Sequence, residues 1–216
     1  MRTPTRITND TPFVARLASW KVWVASVALF APFAWMFFVS SAPFAIPEVE
    51  AACGQAPPDM RFFTTADGVT RFLDACGADG RNTYRNMQVA DVFYPAIVGV
   101  FLASSLCLAI QRLSPRSSRT LWLGAVPLAA MAFDYLENVF AWLALVSYPE
   151  PIAATHLLGV ASVAKTTTSW TAGLLLVAAL AAIVVQATTA RLSRAHANAP
   201  VASDRADERE LIGTES

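Results

Sequence analysis

Charge is scarce in this chain, and lysine is scarcer. Only 15% of its 216 residues are charged, against roughly 25% in an ordinary soluble domain. Of sixteen basic residues, only Lys21 and Lys165 are lysine. No basic patch of the kind that follows a phosphate backbone is present, which excludes a nucleic-acid partner. Histidine is limited to His156 and His196. One falls near the start of the last apolar run and the other in the C-terminal tail, so no pair of axial imidazoles can hold haem across a bundle. Three cysteines without a C-x-x-C pair leave a thiol-redox enzyme without its motif. A Ser–His–Asp set and a phosphate-cradling glycine loop are missing as well. No cofactor and no metal site is read from these residues; oxygen-only ligands suit hard cations alone.

What is abundant is apolar sequence, at 55% hydrophobic residues and a mean hydropathy of +0.45. Four windows, at about 19–42, 87–110, 121–147 and 152–187, are long and apolar enough to span a bilayer as helices. The short alternating segments of a membrane β-barrel are absent, and only helices and closed barrels satisfy their backbone in lipid. The expected fold is therefore an all-α membrane protein, with four transmembrane helices in one bundle over 19–190. Arg2, Arg6, Arg16 and Lys21 precede the first helix, Arg112, Arg116 and Arg119 fill the second connection, and Arg191 and Arg194 follow the fourth helix. The positive-inside rule then places both termini in the cytoplasm (N-in/C-in), and the localisation expected is the plasma membrane. Segment 1–18 is a cytoplasmic lead, 191–216 a disordered cytoplasmic tail without a periodic core, and 43–86 an outer loop. The first apolar stretch is roughly twice the 7–15 residues of a signal-peptide core, so it reads as a retained anchor.

Within the outer loop, Val69, Phe72, Leu73 and Cys76 share a helical face and Gly77 can end the turn. A short amphipathic helix is expected there, resting on the membrane or capping the bundle. Cys53 and Cys76 both fall in this loop, where an oxidising compartment favours a disulfide. Arg81, Tyr84, Gln88, Asp91 and Pro95 follow at alternating three- and four-residue spacing, which makes one polar stripe at the outer end of the second helix. Deeper in, Gly99 and Ala103 form a small-x-x-x-small pair that lets another helix approach.

Asp134-Tyr135-Leu136-Glu137-Asn138 lies in the middle of the third apolar run. An Asp at the centre of a span costs roughly 2.5–3.5 kcal/mol on insertion scales, so such residues face a partner. Counted from Ser147 and Ala153, Glu137, Asp134 and Lys165 lie at depths of roughly 15, 20 and 18 Å at 1.5 Å per residue. Tyr148-Pro149-Glu150-Pro151 is a tight turn that makes the third and fourth helices antiparallel neighbours. Lys165 should pair with Asp134 or Glu137, and the i, i+3, i+4 spacing lets Asn138 share their face. In a chain that otherwise chooses arginine, the deep cation is the basic residue able to lose its proton when desolvated. Two carboxylates against one ammonium leave an excess negative charge, with Asp91 nearer the outer surface as an upper step.

Phe133-Asp134-x-x-Glu137-Asn138, with Gly80-Arg81-x-x-Tyr84, Gln88, Asp91 and Tyr94-Pro95 upstream, resembles a group of small bacterial four-helix integral membrane proteins of unassigned activity. The resemblance covers about residues 65–187 and implies that the second-helix stripe and the third-helix motif belong to one site. Three functions follow from the residues. The first is a multi-pass membrane protein whose Asp/Glu/Asn–Lys centre binds or moves protons or a small solute, with a homodimer compatible with its narrow bundle. The second is an intramembrane enzyme acting on a lipid or isoprenoid, with paired carboxylates as acid and base. The third is an accessory subunit of a larger membrane complex, in which the charges are only a clamp. The lipid bilayer is the partner common to all three.

Overall fold

The computed structural model describes residues 16–115 and 120–197. Arg2, Arg6, Arg116, Arg119 and the tail beyond 197 lie outside these. Two compact units divide the chain, Met1–Ala179 and Leu180–Ser216. Among the described residues the structure is all-helical, without strands, and four helical stretches are long and apolar enough to cross a membrane.

In the first unit, helix α1 (Trp20–Phe38) is followed by α2 (Ile46–Cys53), a 3-10 turn at Pro58–Met60, α3 (Ala66–Ala90), α4 (Tyr94–Leu113), a 3-10 turn at Thr120–Gly124, α5 (Ala125–Ser147) and the start of α6 (Ala153–Ala197). The second unit carries the continuation of α6, on which Leu180, Val184, Val185 and Leu192 are exposed.

Two breaks in these helices have identifiable causes. At Gly77, inside α3, φ is 60° and ψ −168°, a conformation open to glycine and costly for residues with a Cβ. The face of Val69, Phe72, Leu73 and Cys76 ends there, and the chain resumes as helix at once, so residues 66–90 form one broken element. Thr65 caps its start, its Oγ1 accepting from the Gly68 N–H at 3.1 Å. The second break lies at 91–93. Pro95 has no N–H, and its ring clashes with the carbonyl four residues back, that of Asp91. The second apolar run therefore does not span as one helix from residue 87; α3 ends at Ala90 and α4 begins at Tyr94.

α1 lies on α4 through stacked rings, Phe30 on Phe101 at 4.6 Å and Phe37 on Tyr94 at 5.4 Å between centroids. Trp23 Nε1 donates to Ser105 Oγ at 3.0 Å. α4 meets α5 where a Cβ on Gly99 would come within 2.8 Å of Met131 Cβ, so the expected close approach at this glycine is realised. α2 is fastened to α3 by a disulfide between Cys53 and Cys76. Gly80 passes directly beneath, and an added Cβ there would meet Cys53 Sγ and the Ala52 carbonyl, each at 3.2 Å. The apolar core gathers at this end, with Phe37, Val49, Phe72, Tyr84, Ala141 and Leu158 among its buried members. α2 and α3 thus form a cap over the ends of α1 and α5 and the beginnings of α4 and α6.

The helix ends differ from expectation on both sides. α1 stops at Phe38 and not near residue 42, and α6 continues to Ala197, so 191–197 is helix where a disordered tail is expected.

Candidate functional site

The centre is assembled from five segments. α6 carries Lys165 into a ring of acceptors: Asp134 Oδ1 at 3.2 Å, Glu137 Oε2, and the backbone carbonyl of Asp59 at 3.2 Å. The Glu137 side chain is fully buried, while that of Lys165 is 21% exposed. An ammonium has three N–H donors and no acceptor, so these three oxygens use its whole capacity.

Asn138 does not join the lysine. Its Nδ2 donates to the backbone carbonyl of Asp91 at 3.2 Å, while Tyr135 Oη donates to the Val92 carbonyl at 3.0 Å. Pro95 explains both contacts. The break it forces leaves the carbonyls of Asp91 and Val92 without helical donors, whereas that of Phe93 still accepts from the Ile97 N–H at 3.2 Å, and unpaired backbone groups are costly in a medium without water. Two side chains of α5, three residues apart, supply the missing donors. The third-helix motif thus serves two purposes, charge pairing by Asp134 and Glu137 and repair of a broken helix by Tyr135 and Asn138.

The polar stripe on α3 also divides. Tyr84 Oη and Gln88 Nε2 donate to the two carboxylate oxygens of Asp59, at 3.4 and 3.0 Å. Arg81 turns away, donating to the Leu73 carbonyl beside the Gly77 break at 3.0 Å and lying 4.6 Å over the Tyr148 ring. Tyr148 Oη in turn donates to Asp74, which raises the tyrosine's pKa. Asp91 faces a cavity of about 300 Å³, where its carboxylate accepts no hydrogen bond among the described residues although only 5% of the residue is exposed.

Asp59 is the functional residue the sequence reading misses. It sits at Pro58-Asp59-Met60, in a connection that looks like solvated loop, yet it is 4% exposed. Burial pushes its carboxyl above the ordinary range, opposed by the nearby Lys165 charge and the Gln88 hydrogen bond. The available signal is the company it keeps. Pro57-Pro58 stiffen the segment, and Met60, Phe62 and Phe63 around it are too apolar for a loop in water. Gly159 completes the docking, because any Cβ there would run into the Thr64 carbonyl and the Phe63 ring.

The level of the site also departs from the depth count. Phe37 and Phe38 at the end of α1 and Tyr94 at the start of α4 line the same cavity as Asp134 and Lys165. The charges lie level with the start of α4, since Asn138 meets the Asp91 carbonyl and Met131 stands against Gly99.

Four carboxyl groups (Asp59, Asp91, Asp134, Glu137) thus surround one lysine. Among the described residues no group of three or more His, Cys, Asp or Glu side chains could hold a metal ion. The fold and this centre define the class, a multi-pass helical membrane protein with a buried lysine–carboxylate cluster. No protein-family model, curated protein or solved structure matches the chain.

Proposed function

We propose that this is a bacterial plasma-membrane protein, with both termini cytoplasmic, whose buried centre binds or moves protons or a small solute. The observation that carries the reading is the charge imbalance around Lys165, with four carboxyl groups and one ammonium beside a cavity. Excess negative charge in a poorly solvated site is relieved by taking up protons or a cation. A purely structural clamp needs no cavity and no unpartnered Asp91. The break at 91–93 adds support, since interrupted helices in membrane proteins are tolerated where they line a cavity or lie within protein, and they mark binding sites in many transporters. The orientation rests on the basic flanks and on the Cys53–Cys76 disulfide, which suits an oxidising exterior. The resemblance to small bacterial four-helix membrane proteins is in keeping with both.

The test is proton flux into proteoliposomes with a pH-sensitive dye trapped inside. The parent should acidify the lumen faster than protein-free vesicles, and Glu137→Gln at equal insertion should lower the protein-dependent rate at least tenfold. Equal rates for parent and variant would remove Glu137 from any proton path.

A further inference from the structure

The cavity beside the centre has a composition that selects among ligands. It is walled mainly by apolar and aromatic side chains, with Asp59, Asp91 and Asp134 as its acidic members. An anion would meet those three carboxylates, with only the neutral hydroxyls of Tyr94, Thr166 and Ser169 and an already engaged lysine to set against them. Lys165 already faces three acceptors, while the Tyr84 hydroxyl and the Gln88 amide are turned onto Asp59. Asp91 is the opposite case, a buried carboxylate lining the cavity with no hydrogen-bond donor of its own among the described residues. The volume, about 300 Å³, falls at the lower end of small-molecule pockets and far exceeds a proton or a bare monatomic ion. Tyr94 stacks on Phe37 and meets Phe38 edge-on at 5.5 Å, so aromatic rings adjoin the acidic wall, a combination that suits an organic cation.

We propose that this cavity is a binding site for a small organic ammonium compound with an apolar body. The ammonium lies against Asp91 and Asp134, and the body lies among Phe37, Tyr94 and Met131. Such a ligand supplies the cation that the surplus of carboxylates lacks and the N–H donors that Asp91 lacks. The proposal rests on the reading of the centre as a binding site and narrows it to one chemical class.

The test is calorimetric titration of the full chain in a non-ionic detergent with 2-phenylethylammonium chloride. 2-Phenylethanol and phenylacetate serve as neutral and anionic counterparts. The ammonium should bind saturably at one site, at least tenfold more tightly than either counterpart. Asp91→Asn should weaken it at least tenfold. Val98→Phe, which fills the cavity without touching a carboxylate, should do the same and covers the case in which Asp91→Asn fails to fold. Repeating the titration in nanodiscs of phosphatidylethanolamine and of phosphatidylglycerol identifies the source of the natural ammonium. Competition by the former alone points to a lipid headgroup, and its absence to a free amine. The proposal is overturned if the alcohol or the anion binds as well as the ammonium, if a folded Asp91→Asn protein binds unchanged, or if a folded parent binds none of the three. If Glu137-dependent proton flux persists in that last case, only the ligand class falls; if the flux is absent too, the reading of the centre as a binding site falls with it.

Discussion

Helices α1 and α5 are of similar length, 19 and 23 residues, and both belong to stretches apolar enough to cross a bilayer. Their burial is very different. α1 covers only Ser26 and Phe37, whereas α5 covers eight positions, including Asp134, Glu137 and Asn138. In lipid an apolar side chain gains little by leaving the bilayer for protein, so hydrophobicity does not drive helices together there. Polar groups do need partners. α1 can therefore stand on α4 through a few stacked rings and serine contacts, while α5 must be surrounded by α3, α4, α6 and the Asp59 segment. In this molecule the cost of stranding a polar group, more than apolar area, decides which helix is enclosed.

The sharpest way to break that contrast is at Lys165. Lys165→Met leaves Asp134 and Glu137 buried without their cation, and removing one partner of a buried pair costs about 3–5 kcal/mol. Unfolding in detergent should show that loss, and adding Glu137→Gln should recover part of it. A Lys165→Met protein as stable as the parent would mean that the charges do not organise α5 and α6. Next in size is the Cys53–Cys76 disulfide. Opening it with Cys53→Ala should cost about 2–4 kcal/mol, read as a lower unfolding temperature and earlier hydrogen exchange in α2 than in α4.

A smaller effect should appear with pH. Asp59 holds its proton more firmly in the folded protein than in the unfolded chain. It therefore favours the folded state fully below the unfolded carboxyl pKa, about 3.9, and that advantage is lost as pH rises through the higher folded value. The groups set around it are Lys165, Asp91, Asp134, Glu137, Tyr84 and Gln88. Asp59→Asn should flatten the decline of unfolding temperature between pH 4 and 8 relative to the parent; an unchanged slope would remove Asp59 from the linkage. Smallest of all should be Leu29→Ala on α1, where the side chain is 59% exposed. A change within about 0.5 kcal/mol is expected, and a loss of several times that would show that α1 is covered by protein after all.

Much of this was legible before folding. The apolar runs locate the spans because their length has to match a bilayer. The tight turn after Ser147 and the similar residue counts on either side of it bring Lys165 to Asp134 and Glu137, because neighbouring antiparallel helices share a register. Gly99 foretells a close approach, since only a missing Cβ admits Met131. Other features were hidden. Asn138 shares a face with Glu137 yet serves the Asp91 carbonyl, because Pro95 creates a demand for donors that spacing along α5 cannot reveal. Asp59 resembles any acidic loop residue until the segment carrying it is seen to be docked against Gly159.

Residue order suffices for the helical class, the four apolar runs, the placing of both disulfide cysteines in one connection and the pairing across one short turn. Each follows from local periodicity or from chain distance. Packing of distant segments is what folds the first connection back as a cap, sets the charges level with the start of α4, and gathers Asp59 and Asp91 about one lysine. Those outcomes depend on where distant segments satisfy their polar groups, and in a membrane protein that demand is met by whichever neighbour can supply it.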